Sequence, residues 1–93
     1  MKDKITKKDI EKYHKLTFRA LDIVKKNISK GKKKEAGEII KMASAYLSDS
    51  RFFEKKGDLV NSFGAIYYAH GWIDCGVRLG IFDVKDDKLF TVR

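Results

Sequence analysis

The stretch EKKGDLVNSFGAIYYAHGWIDCGVRLG, residues 54–80, decides the fold. Lys55 and Lys56 suit the negative carboxyl end of a helix, and Gly57 suits the left-handed position that follows such an end. Asp58 is a preferred residue immediately before a helix, where its side chain can accept a backbone N–H bond. The four residues KKGD therefore predict that one helix ends and the next begins within a single tight turn, and that the two helices pack antiparallel.

Outward from this turn, apolar residues recur every three or four positions and the chain contains no proline. The pattern predicts helix 2 over about 34–56 and helix 3 over about 59–79. A first helix is predicted over about 7–29, because Thr6 and Asp9 have the spacing of a capping box. The segment SKGKKK connects helix 1 to helix 2.

These elements predict an all-α fold, a three-helix up-and-down antiparallel bundle that forms a single domain over residues 1–93. The last residues, IFDVKDDKLFTVR at 81–93, hold two short apolar runs around a polar centre. They predict a short C-terminal extended tail or a β-hairpin, which must pack against the helices because two strands alone are only marginally stable.

Composition narrows the class of protein. A hydrophobic fraction of 43% supports a core despite 37% charged residues, and a single cysteine excludes an internal disulfide framework. The N-terminus has no apolar signal region, and no apolar run approaches the roughly 18 residues of a membrane span. We expect a soluble cytoplasmic protein with no membrane attachment, no cofactor and no metal site.

Positive charge is concentrated at the N-terminal end of the chain. Residues 1–34 hold 13 Lys and Arg against four Asp and Glu, whereas the remainder is nearly neutral. Clustered lysines are typical of nucleic-acid binding, and the alternative is a solvated surface of the kind common in thermophiles. No aromatic residues of the kind that stack on bases are interleaved with the lysine cluster, which favours the solvated surface and leaves weak, non-specific binding as the second interpretation. The candidate nucleic-acid residues lie in the connection after helix 1: Lys30, Lys32, Lys33 and Lys34.

Helix 3 carries small or apolar residues on every side. A helical wheel places its core stripe at Leu59, Phe63, Ile66, His70, Ile73 and Val77. Glycine inside a helix costs roughly 0.5–1 kcal/mol relative to alanine, so a close approach of some kind should offset the glycines here. Three explanations are open: another helix of the bundle approaches them, a second copy of the chain does, or they line a ligand groove. The second interpretation predicts an interface formed by Gly64, Tyr68, Gly71, Trp72 and Cys75.

A line of polar side chains also follows helix 3, since His70, Asp74 and Arg78 recur every four residues. With Tyr67 nearby, they could form a hydrolytic or ligand-binding site with a histidine–carboxylate base and an arginine anchor. The alternative, which the lack of a nucleophile on this face favours, is a buried structural histidine satisfied by a carboxylate that is itself paired with arginine. Asp49 and Arg51 on helix 2 could join this cluster across the hairpin.

The second half of the chain resembles an archaeal family of small proteins, domain of unknown function 357. The resemblance spans roughly residues 10–92 and is carried by YLSD, FEKKGD, NSFGA, YAHGWID and GVRLG. It implies a compact three-helix bundle and carries over no catalytic residues. The function expected from the residues is a non-enzymatic interaction module that forms a homodimer through helix 3, or associates with another protein.

Overall fold

The computed structural model describes residues 3–85 and contains three helices: α1 (Lys7–Lys25), α2 (Lys33–Lys55) and α3 (Leu59–Arg78). The largest interface lies between α2 and α3, and α1 packs against both. Each helix runs antiparallel to the next, because residues at the end of α2 contact the start of α1 and the start of α3. The predicted all-α three-helix bundle is confirmed.

Local capping signals start α1 and α3 where the sequence predicts. Thr6 Oγ1 accepts a hydrogen bond from the backbone N–H of Asp9, whose carboxylate accepts one from the N–H of Thr6 at 2.9 Å. Asp58 accepts from the backbone N–H of Asn61 at 3.1 Å. The Asn61 side-chain amide and this N–H hold the pKa of the Asp58 carboxyl below its ordinary value. Gly57 adopts φ +78°, which favours glycine at the end of α2.

Helix α1 ends at Lys25, four residues earlier than predicted. The side-chain amide of Asn27 turns back to donate to the carbonyl of Ile23 at 2.7 Å. Ile28 then leaves the helix to form an isolated antiparallel bridge with Phe82, and the N–H of Ser29 donates to the carbonyl of Ile81 at 3.0 Å. Because these residues contact a distant segment, the helix ends earlier than its apolar spacing predicts.

The same bridge shows where the start of the predicted tail lies. Residues 81–83 pair with the connection between α1 and α2, and the N–H of Asp83 donates to the carbonyl of Asn27 at 2.7 Å. The second half of the proposed extended tail or hairpin falls on residues 86–93, which lie outside the described residues.

The core face of α3 differs from the predicted stripe. Leu59, Phe63 and His70 are only half-buried. The buried positions of this helix are instead Ser62, Ala65, Ile66, Ala69, Ile73, Gly76 and Val77. The face is rotated toward the small residues because these let α3 approach α2 closely. Near the tight turn, for example, the fully buried Ser62 hydroxyl donates to the Ser50 carbonyl at 2.8 Å.

Gly76 is the one helical glycine of the described chain that a neighbour closely approaches. A Cβ placed on it would lie 2.6 Å from the Phe82 ring and 2.9 Å from the Ile39 side chain. Phe82 is 1% exposed and is the largest fully buried side chain. Gly76 therefore provides the space in which Phe82 attaches the start of the tail to the bundle.

We predict that Gly76→Ala destabilises the protein by about 1–3 kcal/mol, because the added methyl group overpacks a core in which Phe82 and Ile39 have little room to shift. Gly37→Ala is the matched control. Gly37 also lies within a helix, but nothing approaches its Cβ position within 4 Å, so this change should stabilise by roughly 0.5–1 kcal/mol. Urea denaturation of both variants measures the difference, and two effects of the same sign would contradict it.

The N-terminus of α2 has an acidic residue in its first turn, Glu35, but it lacks the side-chain hydrogen bond that caps the other two helices. Its cap position is Lys32, which makes no capping hydrogen bond through its side chain, and the next two residues are Lys33 and Lys34. Cations are unfavourable at this positive end of the helix dipole. By contrast, Lys25 occupies the last turn of α1, where a cation is favourable.

We predict that Lys33→Glu stabilises the protein by about 0.5–1 kcal/mol, a few degrees in Tm, whereas Lys25→Glu destabilises it. Both side chains are exposed and both substitutions change the charge equally, so net charge cancels from the comparison. Differential scanning calorimetry at low ionic strength measures the two shifts. If both variants moved Tm in the same direction, the dipole explanation would be wrong.

Candidate functional site

Helix α3 presents a continuous apolar surface to solvent, which we call the α3 outer face. Its large side chains are strongly exposed: Val60 at 71%, Tyr68 at 64% and Leu79 at 66%. Its apolar and small members, all exposed, are Val60, Gly64, Tyr67, Tyr68, Gly71, Trp72, Cys75 and Leu79. The polar residues Asn61 and Arg78 are exposed on the same side, near its two ends. With the opposite side of α3 already buried against α1 and α2, this helix is apolar on two sides.

The middle of the outer face is a shallow, open groove of ≈ 630 Å³ along the helix. It is lined by Gly64, Tyr67, Tyr68, Gly71, Trp72 and Cys75. Gly64, Gly71 and Cys75 share a narrow arc of the helical wheel and form the hollow, whereas the aromatic side chains lie on either side of it. All five residues of the predicted interface thus line one groove, and Tyr67 joins them.

Aromatic side chains of the bundle contact the two tyrosines that form walls of the groove. The Tyr68 ring stacks on Tyr46 of α2, with ring centroids 5.0 Å apart. The Tyr67 ring meets Phe63 edge-on at 4.7 Å, and Phe63 in turn contacts Tyr13 of α1 at 5.4 Å. Neighbouring helices therefore support the two tyrosine walls of the groove.

Charged residues avoid this surface although they make up 37% of the chain. Between Asp58 and Asp74, α3 contains no Lys, Arg, Asp or Glu. Most monomeric proteins do not expose an apolar surface along a whole helix, and such patches mark sites of association.

The structure also distinguishes between the explanations of the helix 3 glycines. Nothing lies within 4 Å of a Cβ position at Gly64 or Gly71, so close approach inside the bundle does not account for them. That explanation holds only for Gly76. At an exposed position within a helix, alanine stabilises the helix more than glycine does. The stability of the monomer therefore does not explain Gly64 and Gly71.

The residues of the predicted polar cluster differ in their exposure. Tyr67 is exposed at the edge of the groove and also lies beside His70 in the lining of a cleft between α1 and α3, whereas Arg78 is exposed in the last turn of α3. His70 turns toward α1, where its Nδ1 lies 3.1 Å from the hydroxyl of Thr17, and its Nε2 lies 3.7 Å from a carboxylate oxygen of Asp74. Because His70 is half-buried, it is not the sealed core histidine of the structural interpretation.

Between α1 and α3 there is a second, smaller cleft of ≈ 220 Å³ with His70 and Thr17 at its polar end. Its remaining lining is apolar: Tyr13, Leu16, Phe63, Ile66 and Tyr67. Thr17 is 2% exposed, so its hydroxyl is inaccessible to a substrate in solution. The Thr17–His70 contact therefore connects two helices and supplies no nucleophile.

The most extensive polar cluster of the described residues was not predicted. Arg51 does not join His70, as the sequence suggested, but lies against α1. Its guanidinium is 2.8 Å from a carboxylate oxygen of Glu54 and 3.2 Å from one of Glu11, and it donates to His14 Nδ1 at 3.1 Å. The sequence signal was the i, i+3 pair of Arg51 and Glu54, but no local pattern indicated Glu11 and His14 on a different helix.

His14 in this cluster is held in its neutral form. Burial, together with the positive charge of Arg51, lowers the pKa of His14 below its ordinary value. Arginine can only donate, so Nδ1 must accept from Arg51 and the proton lies on Nε2, toward the backbone of Leu47. Arg51 in turn lowers the pKa of the exposed Glu11 carboxyl.

We predict that the protein loses stability as the pH falls from 7 to about 5. The unfolded chain binds the His14 proton at the ordinary pKa of about 6.5, while the folded chain resists it, so unfolding is favoured below that pH. His14→Gln keeps a donor and an acceptor but cannot titrate, and it should flatten the pH dependence measured by urea denaturation. Equal slopes for the two proteins would contradict this assignment.

The predicted nucleic-acid residues are all exposed: Lys30, Lys32, Lys33 and Lys34. Lys32 approaches Glu35 at 3.8 Å, a long ion pair on the surface. Within residues 3–85, no three His, Cys, Asp or Glu side chains are grouped as metal ligands would be. No helix of this part of the chain is long and apolar enough to cross a membrane.

Comparison with known proteins places the chain in a family. The family model described as protein of unknown function (DUF357) matches residues 12–82, about three quarters of the sequence. The chain belongs to the DUF357 family. The match ends at Phe82, the residue that packs on Gly76, so it covers most of α1, all of α2 and α3, and the anchored start of the tail. No curated protein and no solved structure matches the chain.

Proposed function

We propose that this DUF357 protein is a non-enzymatic association module that forms a homodimer through the α3 outer face. The observation that supports it is an exposed groove with an apolar lining, framed by Tyr67, Tyr68 and Trp72 and free of charged side chains. The exposed thiol of Cys75 lies on the same face and fits a reducing, cytoplasmic setting.

A second copy of the chain suits this surface because the face carries both a ridge and a hollow. Tyr68 and Trp72 project on one side, and Gly64 and Gly71 leave a depression beside them. In a twofold dimer, the same patch on both subunits must be self-complementary. Each Tyr68 can then occupy the glycine hollow of the other subunit, where no Cβ atom obstructs its ring.

The charge distribution favours an antiparallel arrangement of the two α3 helices. Helix α3 has 20 residues and is therefore about 30 Å long. The lysine-rich connection lies at its carboxyl end, because Ser29 binds Ile81 there. A parallel dimer would bring two lysine clusters together, whereas an antiparallel dimer separates them by well over the Debye length of about 8–10 Å.

We predict that sedimentation velocity shows a monomer–dimer equilibrium, and that Gly71→Gln weakens it at least tenfold. One helix face is a small interface, so we expect a dissociation constant near the micromolar range. A glutamine side chain would fill the hollow that the partner ring needs. It should also raise the stability of the monomer, because glutamine forms helix better than glycine, so loss of the dimer would not reflect unfolding.

Gly37→Gln is the matched control for this experiment. Gly37 is an exposed glycine inside α2, and it too has no atom within 4 Å of its Cβ position. The same substitution there should leave the dimer intact. A wild-type protein that remains monomeric at all accessible concentrations would overturn the proposal, as would equal weakening by the two variants.

A further inference from the structure

One end of the bundle, where α1 and α3 finish and α2 begins, is strongly basic. We call this end the basic pole. In the described part of the chain, eight exposed cations lie there against four exposed carboxylates, Asp22, Glu35, Glu38 and Asp83, and the half-buried Asp74. The cations are Lys25, Lys26, Lys30, Lys32, Lys33, Lys34, Arg78 and Lys85. At the opposite end, the positive charges alternate with Asp3, Asp9, Glu11, Glu54 and Asp58.

Local ion pairs within residues 3–85 explain only part of this positive charge. Lys26 is paired with Asp22 at 3.2 Å, and Lys32 only approaches Glu35 at 3.8 Å. Lys33 and Lys34 lie where the helix dipole disfavours cations. Helix α1 also begins with two lysines, but its Thr6–Asp9 capping box compensates for them, and α2 has no such box. Folding alone would therefore favour other residues at this end.

The backbone of the pole is held in a defined shape. Gly31 adopts φ +79°, the N–H of Lys32 donates to the carbonyl of Ser29, and Ser29 donates to Ile81. Phe82, packed on Gly76, fixes that last segment. Lys30 and Lys32 thus lie in a turn that is tied to the segment after α3, and Lys33 and Lys34 follow in the first turn of α2.

We propose that the basic pole docks the phosphate backbone of duplex nucleic acid. A duplex has the high linear charge density that a cluster of lysines neutralises with release of counterions. Within the described residues, the pole carries no exposed aromatic side chain on which an unpaired base could stack, which disfavours single strands. Lysines contact phosphates as point charges, so the binding is independent of base sequence. This surface is separate from the α3 outer face, and it is present in the monomer.

The test is fluorescence anisotropy of a labelled DNA duplex against salt concentration, with the full chain. The pole variant replaces four lysines by glutamine: Lys30→Gln, Lys32→Gln, Lys33→Gln and Lys34→Gln. A control variant makes the same change of charge at the opposite end: Lys4→Gln, Lys7→Gln, Lys8→Gln and Lys12→Gln. The slope of log K against log salt concentration is negative. We expect its magnitude to fall by up to about 3.6 in the pole variant, about 0.9 for each phosphate contact removed, and to change little in the control.

Three results would overturn the proposal. Equal losses in the two variants would show that net charge, and not the pole, drives binding. Tighter binding of a single strand of the same length would exclude duplex docking. Binding to vesicles of anionic phospholipid without binding to the duplex would assign the pole to a membrane surface. Because none of the four substituted lysines lies on α3, Gly71→Gln should leave the slope per monomer unchanged. A failure of dimer formation and a failure of nucleic-acid binding can therefore be told apart.

Discussion

The close packing of α3 against its neighbours is the constraint on which the rest of the structure depends. Ala65, Ala69 and Gly76 let the helix approach α2, and Gly76 leaves room for the Phe82 ring. With this side of the helix committed to the core, the opposite side must face solvent. Phe82 also joins the start of the tail to the α1–α2 connection through its bridge with Ile28. One packing arrangement therefore exposes the outer face and shapes the basic pole.

Both proposals rest on positions at which the residue present stabilises the monomer less than another residue would. Gly64 and Gly71 lie in an exposed helix without any neighbour that requires glycine. Lys33 and Lys34 occupy the first turn of α2, where the dipole favours acidic residues. Natural proteins depart from such local preferences mainly where function requires it. In each case a substitution that should stabilise the monomer is expected to weaken association or nucleic-acid binding.

The local features of the fold were predictable because each depends on a few neighbouring residues. Thr6 with Asp9 and Gly57 with Asp58 act within one turn of the chain, so the starts of α1 and α3 follow from the sequence. The end of α1 could not be predicted in this way, because Asn27, Ile28 and Ser29 leave the helix to contact residues more than fifty positions away. Arg51 was likewise assigned to the wrong neighbour, since its partners Glu11 and His14 lie on a distant part of the chain.

The sequence by itself determined the number of helices, the tight turn between α2 and α3, five of the six residues of the groove and the location of the lysines. Helical periodicity and capping act over short distances, so these features need no knowledge of the packing. Only the tertiary structure decided which glycine meets a neighbour and which two do not. Gly64, Gly71 and Gly76 are equivalent in the sequence, and what distinguishes them is the Phe82 ring, which packs on Gly76 alone.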